Sequence, residues 1–189
     1  MDVNYKILIG LILILTLFVN TAQAQKYGLL WSYETDGGVY SVTISSDGSY
    51  IAAGSDYKVY LFDREGNLLW SYKTGGRVGS VSISSDGSYI AAGSYDYKVY
   101  LFDREGNLLW SYKTGSDVES VTISSDGSYI AAGSYYDHKV YLFDREGNLL
   151  WSYDTGNGVE SVAISSDGSC IAAGSWDDKV YLFDKKGNL

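Results

Sequence analysis

Three phrases of this sequence recur about every 40 residues, and this repeat constrains the fold more than any other feature. The phrase Trp-Ser-Tyr begins at Trp31, Trp70, Trp110 and Trp151. Lys-Val-Tyr-Leu-Phe-Asp begins at Lys58, Lys98, Lys139 and Lys179. Ser-Val-x-Ile-Ser-Ser-Asp-Gly-Ser begins at Ser41, Ser80, Ser120 and Ser161. The chain therefore holds about four copies of one unit, and its fold must be built by repeating that unit.

One unit contains four short runs with the pattern of β-strands. In the first complete copy they cover residues 39–45, 50–54, 58–63 and 68–73. The runs are rich in Val, Tyr and Phe, and Asp-Gly or Gly-Asn separates them at hairpin turns, because these residues adopt positive φ at little cost. No segment of the repeat region sustains a 3.6-residue period, so we expect almost no helix. Four strands in a unit of this length are typical of a β-propeller blade.

The predicted fold is all-β, a β-propeller of four four-stranded antiparallel blades. The repeats cover approximately residues 36–74, 75–114, 115–155 and 156–189. A surplus fourth strand precedes them at residues 29–35, and the last repeat stops where its own fourth strand would begin. We expect the N-terminal strand to complete the last blade and close a four-blade ring. An eight-blade ring of two chains and a fragment of a larger propeller are the alternatives.

Packing positions recur with the repeat. We predict that Val42, Ile44, Val59 and Leu61, with their counterparts, fill the layers between blades. The tryptophans predicted to pack between blades are Trp31, Trp70, Trp110 and Trp151. Cys170 stands where the other copies have Tyr50, Tyr89 and Tyr129, which favours a packing position over a reactive thiol.

The N-terminus has the layout of a secretory signal peptide. Lys6 precedes an uncharged apolar run over residues 7–19, and Ala22-Gln23-Ala24 supplies small residues for cleavage. We predict a signal peptide over residues 1–24, a propeller domain over 25–189, and a secreted or extracytoplasmic location at the cell surface or in the periplasm. An uncleaved segment would instead anchor the chain in a membrane.

Composition excludes several functions. The net charge of −9 argues against nucleic-acid binding, which relies on neutralising phosphates with basic side chains. With one cysteine, Cys170, and one histidine, His138, the chain has no internal disulfide and no Cys- or His-cluster metal site, and a catalytic triad is improbable. The acidic turn at residues 63–67 is too short for a calcium loop. We therefore predict no metal and no cofactor.

Two family resemblances follow from these motifs. Residues 41–63 resemble a WD-repeat blade, although Phe62-Asp63 stands in place of Trp-Asp and residues 74–76 in place of Gly-His. Residues 59–75 are similar to the repeat of quinoprotein (PQQ-type) propellers, whose Trp docks between neighbouring blades. Both resemblances imply a β-propeller, and the second favours an eight-blade ring. Neither transfers an activity, because propellers carry many unrelated functions.

The copies differ from one another mainly at two connections. One follows the fourth strand, at residues 36–38, 75–77, 115–117 and 156–158. The other joins the second and third strands, at residues 56–57, 95–97, 135–138 and 176–178. Because neighbouring strands run in opposite directions, both connections lie on the same rim of the propeller, and the nearly invariant turns lie on the other.

The variable connections supply the candidate binding residues, which are mostly aromatic or acidic. They are Tyr57, Tyr95, Tyr97, Tyr135, Tyr136, His138, Trp176, Asp177 and Asp178. Rigid aromatic rings beside hydrogen-bonding carboxylates are typical of recognition surfaces. Glu119 and Glu160 would add negative charge near the channel mouth. We predict an exported, noncatalytic binding scaffold for a protein, peptide or glycan.

Two other interpretations of these loops remain open. In the first, the loop aspartates hold the turns and the tyrosines vary without consequence. In the second, the chain is a PQQ-dependent dehydrogenase, as the quinoprotein resemblance implies. The second requires a cofactor pocket and a base at the ring centre, and the sequence shows no distinctive cluster of that kind, so we predict that the chain is not an enzyme.

Overall fold

A computed structural model of the chain describes residues 28–188. The chain divides into two compact units, Met1–Ser32 and Tyr33–Leu189, and every described strand lies in the second. The described part contains no helix, as predicted, and therefore none that could cross a membrane. The predicted signal peptide lies outside the described residues.

The strands form four antiparallel sheets, which we number blades 1 to 4. Blade 1 contains β1 (Val39–Ile44), β2 (Tyr50–Ser55), β3 (Lys58–Asp63) and β4 (Leu68–Lys73). Blade 2 contains β5 (Val78–Ile83), β6 (Tyr89–Ser94), β7 (Lys98–Asp103) and β8 (Leu108–Lys113). Blade 3 contains β9 (Val118–Ile123), β10 (Tyr129–Ser134), β11 (Lys139–Asp144) and β12 (Leu149–Asp154). Blade 4 contains β13 (Val159–Ile164), β14 (Cys170–Ser175) and β15 (Lys179–Asp184).

Consecutive strands pair as simple hairpins, which gives each blade the up-and-down order of a propeller. The first hairpin of every blade carries a register shift near its start, between Val39 and Ser41 in blade 1. The central hairpin keeps an even register, with Ala53 opposite Tyr60. The predicted all-β propeller of four blades is therefore confirmed, and each repeat unit forms one blade.

The hydrophobic cores lie between blades. The core shared by blades 1 and 2 joins Val59 and Leu61 of β3 to Val78 of β5 and Phe102 of β7. Equivalent cores join blades 2 and 3 and blades 3 and 4. Because one blade is a thin sheet, its inward faces leave water only when a neighbouring blade covers them.

A tryptophan of each outer strand packs onto the following blade. The Trp110 ring lies 5.4 Å from the Phe143 ring, and its Nε1 donates a 2.9 Å hydrogen bond to the Arg145 carbonyl oxygen. Trp70 and Trp151 make the same contacts with the next blade. Trp31, the fourth predicted inter-blade tryptophan, lies in the first unit and is half-buried.

The predicted closure of the ring is not confirmed. Within residues 28–188, the segment 28–35 forms no strand and blade 4 has three strands. Val42 and Ile44, which we expected to fill an inter-blade layer, are exposed because no blade of the described chain covers the β1 side of blade 1. Cys170 is likewise exposed rather than packed, because it occupies the uncovered face of blade 4.

The Asp-Gly turns are held by serine hydroxyls. Ser49 and Ser45 donate hydrogen bonds to the Asp47 carboxylate and lower its pKa to about 2. The pKa values of Asp126 and Asp167 fall to about 2 for the same reason. A carboxylate whose pKa is lower in the folded chain adds stability above its unfolded pKa, and that stability is lost as the pH falls through the folded value.

We therefore expect acid to weaken the fold between pH 3.8 and about 2. Replacing Asp47, Asp126 and Asp167 together by Asn should lower the free energy of unfolding at neutral pH and flatten its pH dependence in this window. Urea unfolding of both chains at several pH values measures the effect. Equal pH slopes for the wild type and the variant would contradict this explanation.

Candidate functional site

The two variable connections meet on one rim of the blades. The amide of Thr74, after β4, donates a 2.9 Å hydrogen bond to the Tyr57 carbonyl oxygen in the β2–β3 loop. Thr114 and Thr155 make the same bond to Tyr97 and His138 in blades 2 and 3. We call this surface the variable rim: it comprises the loop between the second and third strands of each blade and the loops that connect consecutive blades.

An aspartate fastens the loop between the second and third strands. Asp96 accepts hydrogen bonds from the Gly75 amide at 2.8 Å and from the Tyr100 hydroxyl at 2.5 Å. Burial, followed by this bond to Asp96, raises the pKa of Tyr100 above its ordinary value, so the hydroxyl stays protonated as a donor. Asp137 makes the same pair of bonds, to Gly115 and Tyr141. The loops are therefore rigid supports for the side chains beside them.

Asp177 belongs to this fastening system. It accepts hydrogen bonds from the Tyr181 hydroxyl at 2.5 Å and from Lys179 Nζ at 3.0 Å, and the bond from Tyr181 is the main cause that lowers its pKa to about 2. The geometry thus favours the turn-holding interpretation for this candidate. The neighbouring Asp178 has φ 66°, and Tyr97 and His138 occupy the same left-handed turn position in their own blades.

The loop between the second and third strands of each blade presents an exposed aromatic side chain on the variable rim. They are Tyr57, Tyr97, Tyr136 and Trp176, exposed by 58%, 44%, 70% and 58%. Tyr136 lies edge-on against the candidate Tyr135, with ring centroids 4.9 Å apart. Trp176 Nε1 donates a 2.8 Å hydrogen bond to Glu160. We call the four exposed side chains the aromatic set. A large apolar ring fixed on a rigid loop is well suited to protein recognition.

Tyr95 has a different role from the aromatic set. Its hydroxyl donates a 2.6 Å hydrogen bond to Glu119 of blade 3, and its ring lies 3.8 Å from the Arg77 guanidinium. Burial and then the bond to Glu119 raise the pKa of Tyr95 to about 12. Tyr40 of blade 1 lies 4.7 Å from the same guanidinium. These contacts join three consecutive blades at the rim.

Arg77 and Tyr40 are not among the candidate residues predicted from the sequence. The charge of Arg77 could have identified it from the sequence, because it is the one basic residue among the four variable connections that follow the outer strands. The Arg77 guanidinium lies between two aromatic rings and gains cation–π attraction, at a position where the other copies have Gly38, Asp117 and Gly158.

A cleft of about 670 Å³ opens on the variable rim of blade 1. Its lining includes Tyr57, Asp56, Lys73 and the ion pair between Lys58 and Asp36. This volume lies within the range of small-ligand sites. The cleft combines one member of the aromatic set with side chains of both charges, so it can accept either a polar peptide group or a sugar hydroxyl.

A bound PQQ–calcium cofactor would need several oxygen ligands close together for the metal. Across residues 28–188 no group of three His, Cys, Asp or Glu side chains could hold a metal ion. The rim acids Asp96, Asp137 and Asp177 each accept hydrogen bonds from their own loops. His138, the candidate most suited to proton transfer, lies on the variable rim, at a loop position with φ 58°.

Comparisons with known proteins agree with this architecture. Residues 58–189, more than half of the chain, match the family model described as outer membrane protein assembly factor BamB. Residues 28–63 match the model described as WD domain, G-beta repeat. No curated protein shows significant similarity to the chain. The two matches meet inside blade 1, so together they cover all four blades.

Proposed function

We propose that this chain, which belongs to the family of the outer membrane protein assembly factor BamB, is a scaffold that binds another protein through its variable rim. The observation that carries this proposal is the aromatic set, in which the loop between the second and third strands of every blade exposes a ring on the same rim. WD-type repeats commonly mediate protein interactions, and the match of residues 28–63 to that family supports a protein partner in general.

Rigidity favours binding by the aromatic set. The loops that carry Tyr97 and Tyr136 are fastened through Asp96 and Asp137, so few rotamers and little backbone freedom are lost when a partner binds. Tyrosine and tryptophan also offer a large contact area with only two side-chain torsions to order. A protein segment that lies across several blades could contact several of these rings at once.

The proposed role is noncatalytic. The engagement of the rim acids Asp96, Asp137 and Asp177 in loop hydrogen bonds supports it. A PQQ-dependent dehydrogenase would reduce a redox dye when PQQ, calcium and an alcohol are supplied. We expect no dye reduction above the protein-free rate, and sustained reduction would replace the scaffold proposal with the enzyme alternative.

The proposed location is extracytoplasmic. The leader pattern of residues 1–24 and the family of outer membrane assembly factors both support export. N-terminal sequencing of the chain recovered from the cell envelope should begin at Gln25. Recovery of the intact N-terminus in the membrane fraction would favour the anchored alternative.

A capture experiment from a cell-envelope extract tests the rim. The bait variant replaces Tyr57, Tyr97, Tyr136 and Trp176 by Ala, which removes the aromatic set and leaves the loop-fastening aspartates in place. We expect it to lose more than about nine-tenths of the specific protein bound by the wild type, as for substitution of interface hot spots. Mass spectrometry of the retained proteins gives the measurement.

The matched control lies on the opposite rim. Glu65, Glu105 and Glu146 are exposed in the nearly invariant turns, and their replacement by Gln leaves the aromatic set intact. This control should retain the partner as well as the wild type does. Retention by the aromatic variant, or loss only in the control, would refute binding through the variable rim. Elution of the partner by oligosaccharide alone would indicate a glycan ligand instead.

A further inference from the structure

The β1 side of blade 1 carries an uncovered copy of a surface that is buried elsewhere. Val42 and Ile44 are 67% and 60% exposed. Their counterparts in blade 2, Val81 and Ile83, are 6% and 9% exposed because blade 1 covers them. We call this surface the head face. Its sequence is that of an inter-blade contact, but its apolar side chains face solvent.

The opposite side of blade 4 carries the complementary uncovered surface. Val180 and Leu182 are 85% and 61% exposed, whereas Val59 and Leu61 of blade 1 are fully buried against blade 2. A Cβ built on Gly174 would meet no atom within 4 Å. We call this surface the tail face. In blades 1 to 3 the equivalent surface is covered by the next blade.

The internal interfaces show which atoms these two faces would bring together. A Cβ built on Gly54 would lie 2.7 Å from Val78 Cγ1 of the next blade. A Cβ built on Gly93 would lie 2.7 Å from Val118 Cγ1, and one built on Gly133 would lie 2.6 Å from Val159 Cγ1. This close approach repeats three times within the chain. The pair left over at the two ends is Gly174 on the tail face and Val39 on the head face.

Hydrogen bonds between the innermost strands of neighbouring blades also repeat at each interface. The Val81 amide donates to Ser41 Oγ of the preceding blade at 3.0 Å. The two later interfaces repeat this bond at 3.0 and 3.1 Å. Extending the pattern by one blade places the Val42 amide of a head face on Ser161 Oγ of a tail face. The faces therefore match in polar groups as well as in shape.

The chain enters blade 1 where a preceding blade would have its outer strand. The Tyr33 ring lies 4.9 Å from Phe62, just as Tyr72 of β4 lies 4.8 Å from Phe102 of the following blade. The turn that follows is also the same, since Thr35 Oγ1 donates to the Gly37 carbonyl oxygen at 2.6 Å. Among the described residues, blade 4 is the one that lacks an outer strand.

We propose that two copies of this chain associate head to tail, each tail face covering the head face of the other, to form one ring of eight blades. The segment that carries Tyr33 in each copy then lies beside β15 of its partner's blade 4. A second copy is the occupant because the interface is the one that the chain already makes three times. Within the described residues of one chain, both faces stay exposed.

Two interfaces close such a ring, and they are related by a twofold axis. Eight blades lie within the usual range for propellers, and closure leaves no uncovered inter-blade face. Assembly does not depend on the proposed rim binding, because the head and tail faces lie on the sides of the end blades rather than on the aromatic set.

The first test is the mass of the full-length gene product, purified after any processing. Sedimentation equilibrium over a wide range of concentrations should give twice the chain mass determined by mass spectrometry. A monomer at all concentrations would overturn the proposal, and so would a trimer or an open polymer. The variant Tyr57→Ala, altered only on the variable rim, should give the same dimer.

A complementation experiment tests the head-to-tail arrangement. V42D places a charge on the head face alone, and V180D on the tail face alone; both positions are exposed in the single chain, so each variant should fold. Burying an unpaired carboxylate should weaken dimerisation of each variant at least about 100-fold. Circular dichroism and urea unfolding verify folding of the separate variants.

Mixing the two variants distinguishes this assembly from any other dimer. The V42D chain keeps a native tail face and the V180D chain keeps a native head face, so one unaltered interface can form between them. We expect a 1:1 complex in the mixture, identified by mass labels. A mixture that remains monomeric, or single variants that still dimerise like the wild type, would exclude the proposed head-to-tail contact.

Discussion

Replacing Trp110 by Ala should lower the free energy of unfolding by about 3 kcal/mol. The substitution removes the ring that packs on Phe143 and the hydrogen bond to the Arg145 carbonyl oxygen. It also opens space above Gly147, where a built Cβ would lie 2.6 Å from the Trp110 ring. We place the value at the lower end of the range for buried Trp because this side chain is only half-buried. Urea unfolding measures the change.

Trp176→Ala is the matched control for this prediction. The same residue type is removed, but Trp176 lies on the variable rim and is 58% exposed. Its loss should change the unfolding free energy by about 0.5 kcal/mol or less, as expected for a surface position. Equal destabilisation by the two substitutions would show that Trp110 does not connect the blades.

Gly93→Ala should destabilise the chain by about 2 kcal/mol through overpacking. A Cβ at this position would lie 2.7 Å from Val118 Cγ1 and 2.9 Å from Val121 Cγ1 of the next blade. Both valines are buried, so neither can move away without disturbing the core. The effect is steric and does not depend on an unusual backbone angle, because Gly93 lies in the strand β6.

The control is the same substitution at the equivalent position of blade 4. Gly174→Ala places its Cβ in open space and should cost about 0.5 kcal/mol or less. Both substitutions are compared in the V42D chain, so that association of two copies does not contribute. Chemical unfolding that shows equal losses at the two positions would contradict the role of the following blade.

The turns and strands could be predicted from sequence because their signals are local. The predicted strands 58–63 and 68–73 coincide with β3 and β4, and the predicted first strand ends one residue beyond β1. Glycines mark the turns, and Gly147 illustrates the reason. It has φ +87° and also supports the Trp110 ring at close range, so both backbone and packing require glycine in this nearly invariant loop.

The end faces could not be predicted in this way. Val42 and Val81 occupy the same place in the same repeated phrase, but one is exposed and the other is buried. Their sequences are equivalent, and the difference comes from whether another blade lies against them. The predicted strand at residues 29–35 does not appear in the described structure, where this segment joins no sheet.

Part of the candidate site could also be predicted. Alternating strand direction correctly placed both variable connections on one rim, which the bond from Thr74 to Tyr57 demonstrates. The roles of individual side chains could not be assigned. Tyr95 joins neighbouring blades and Asp177 fastens a loop, whereas Tyr136 stays exposed. These roles depend on partners 4 to 24 residues away in the chain, which a loop sequence does not contain.

The amino-acid sequence by itself determined the blade: its four strands, its turns and its repetition, since these depend on alternation and on residues that tolerate tight turns. Tertiary structure alone decided which copies of an identical surface are covered. Apolar side chains are buried only where a second blade supplies the opposing surface. The repeated sequence does not specify which blades have such a neighbour. Gly93 and Gly174 share one sequence context, but only Gly93 has a valine of the next blade against it.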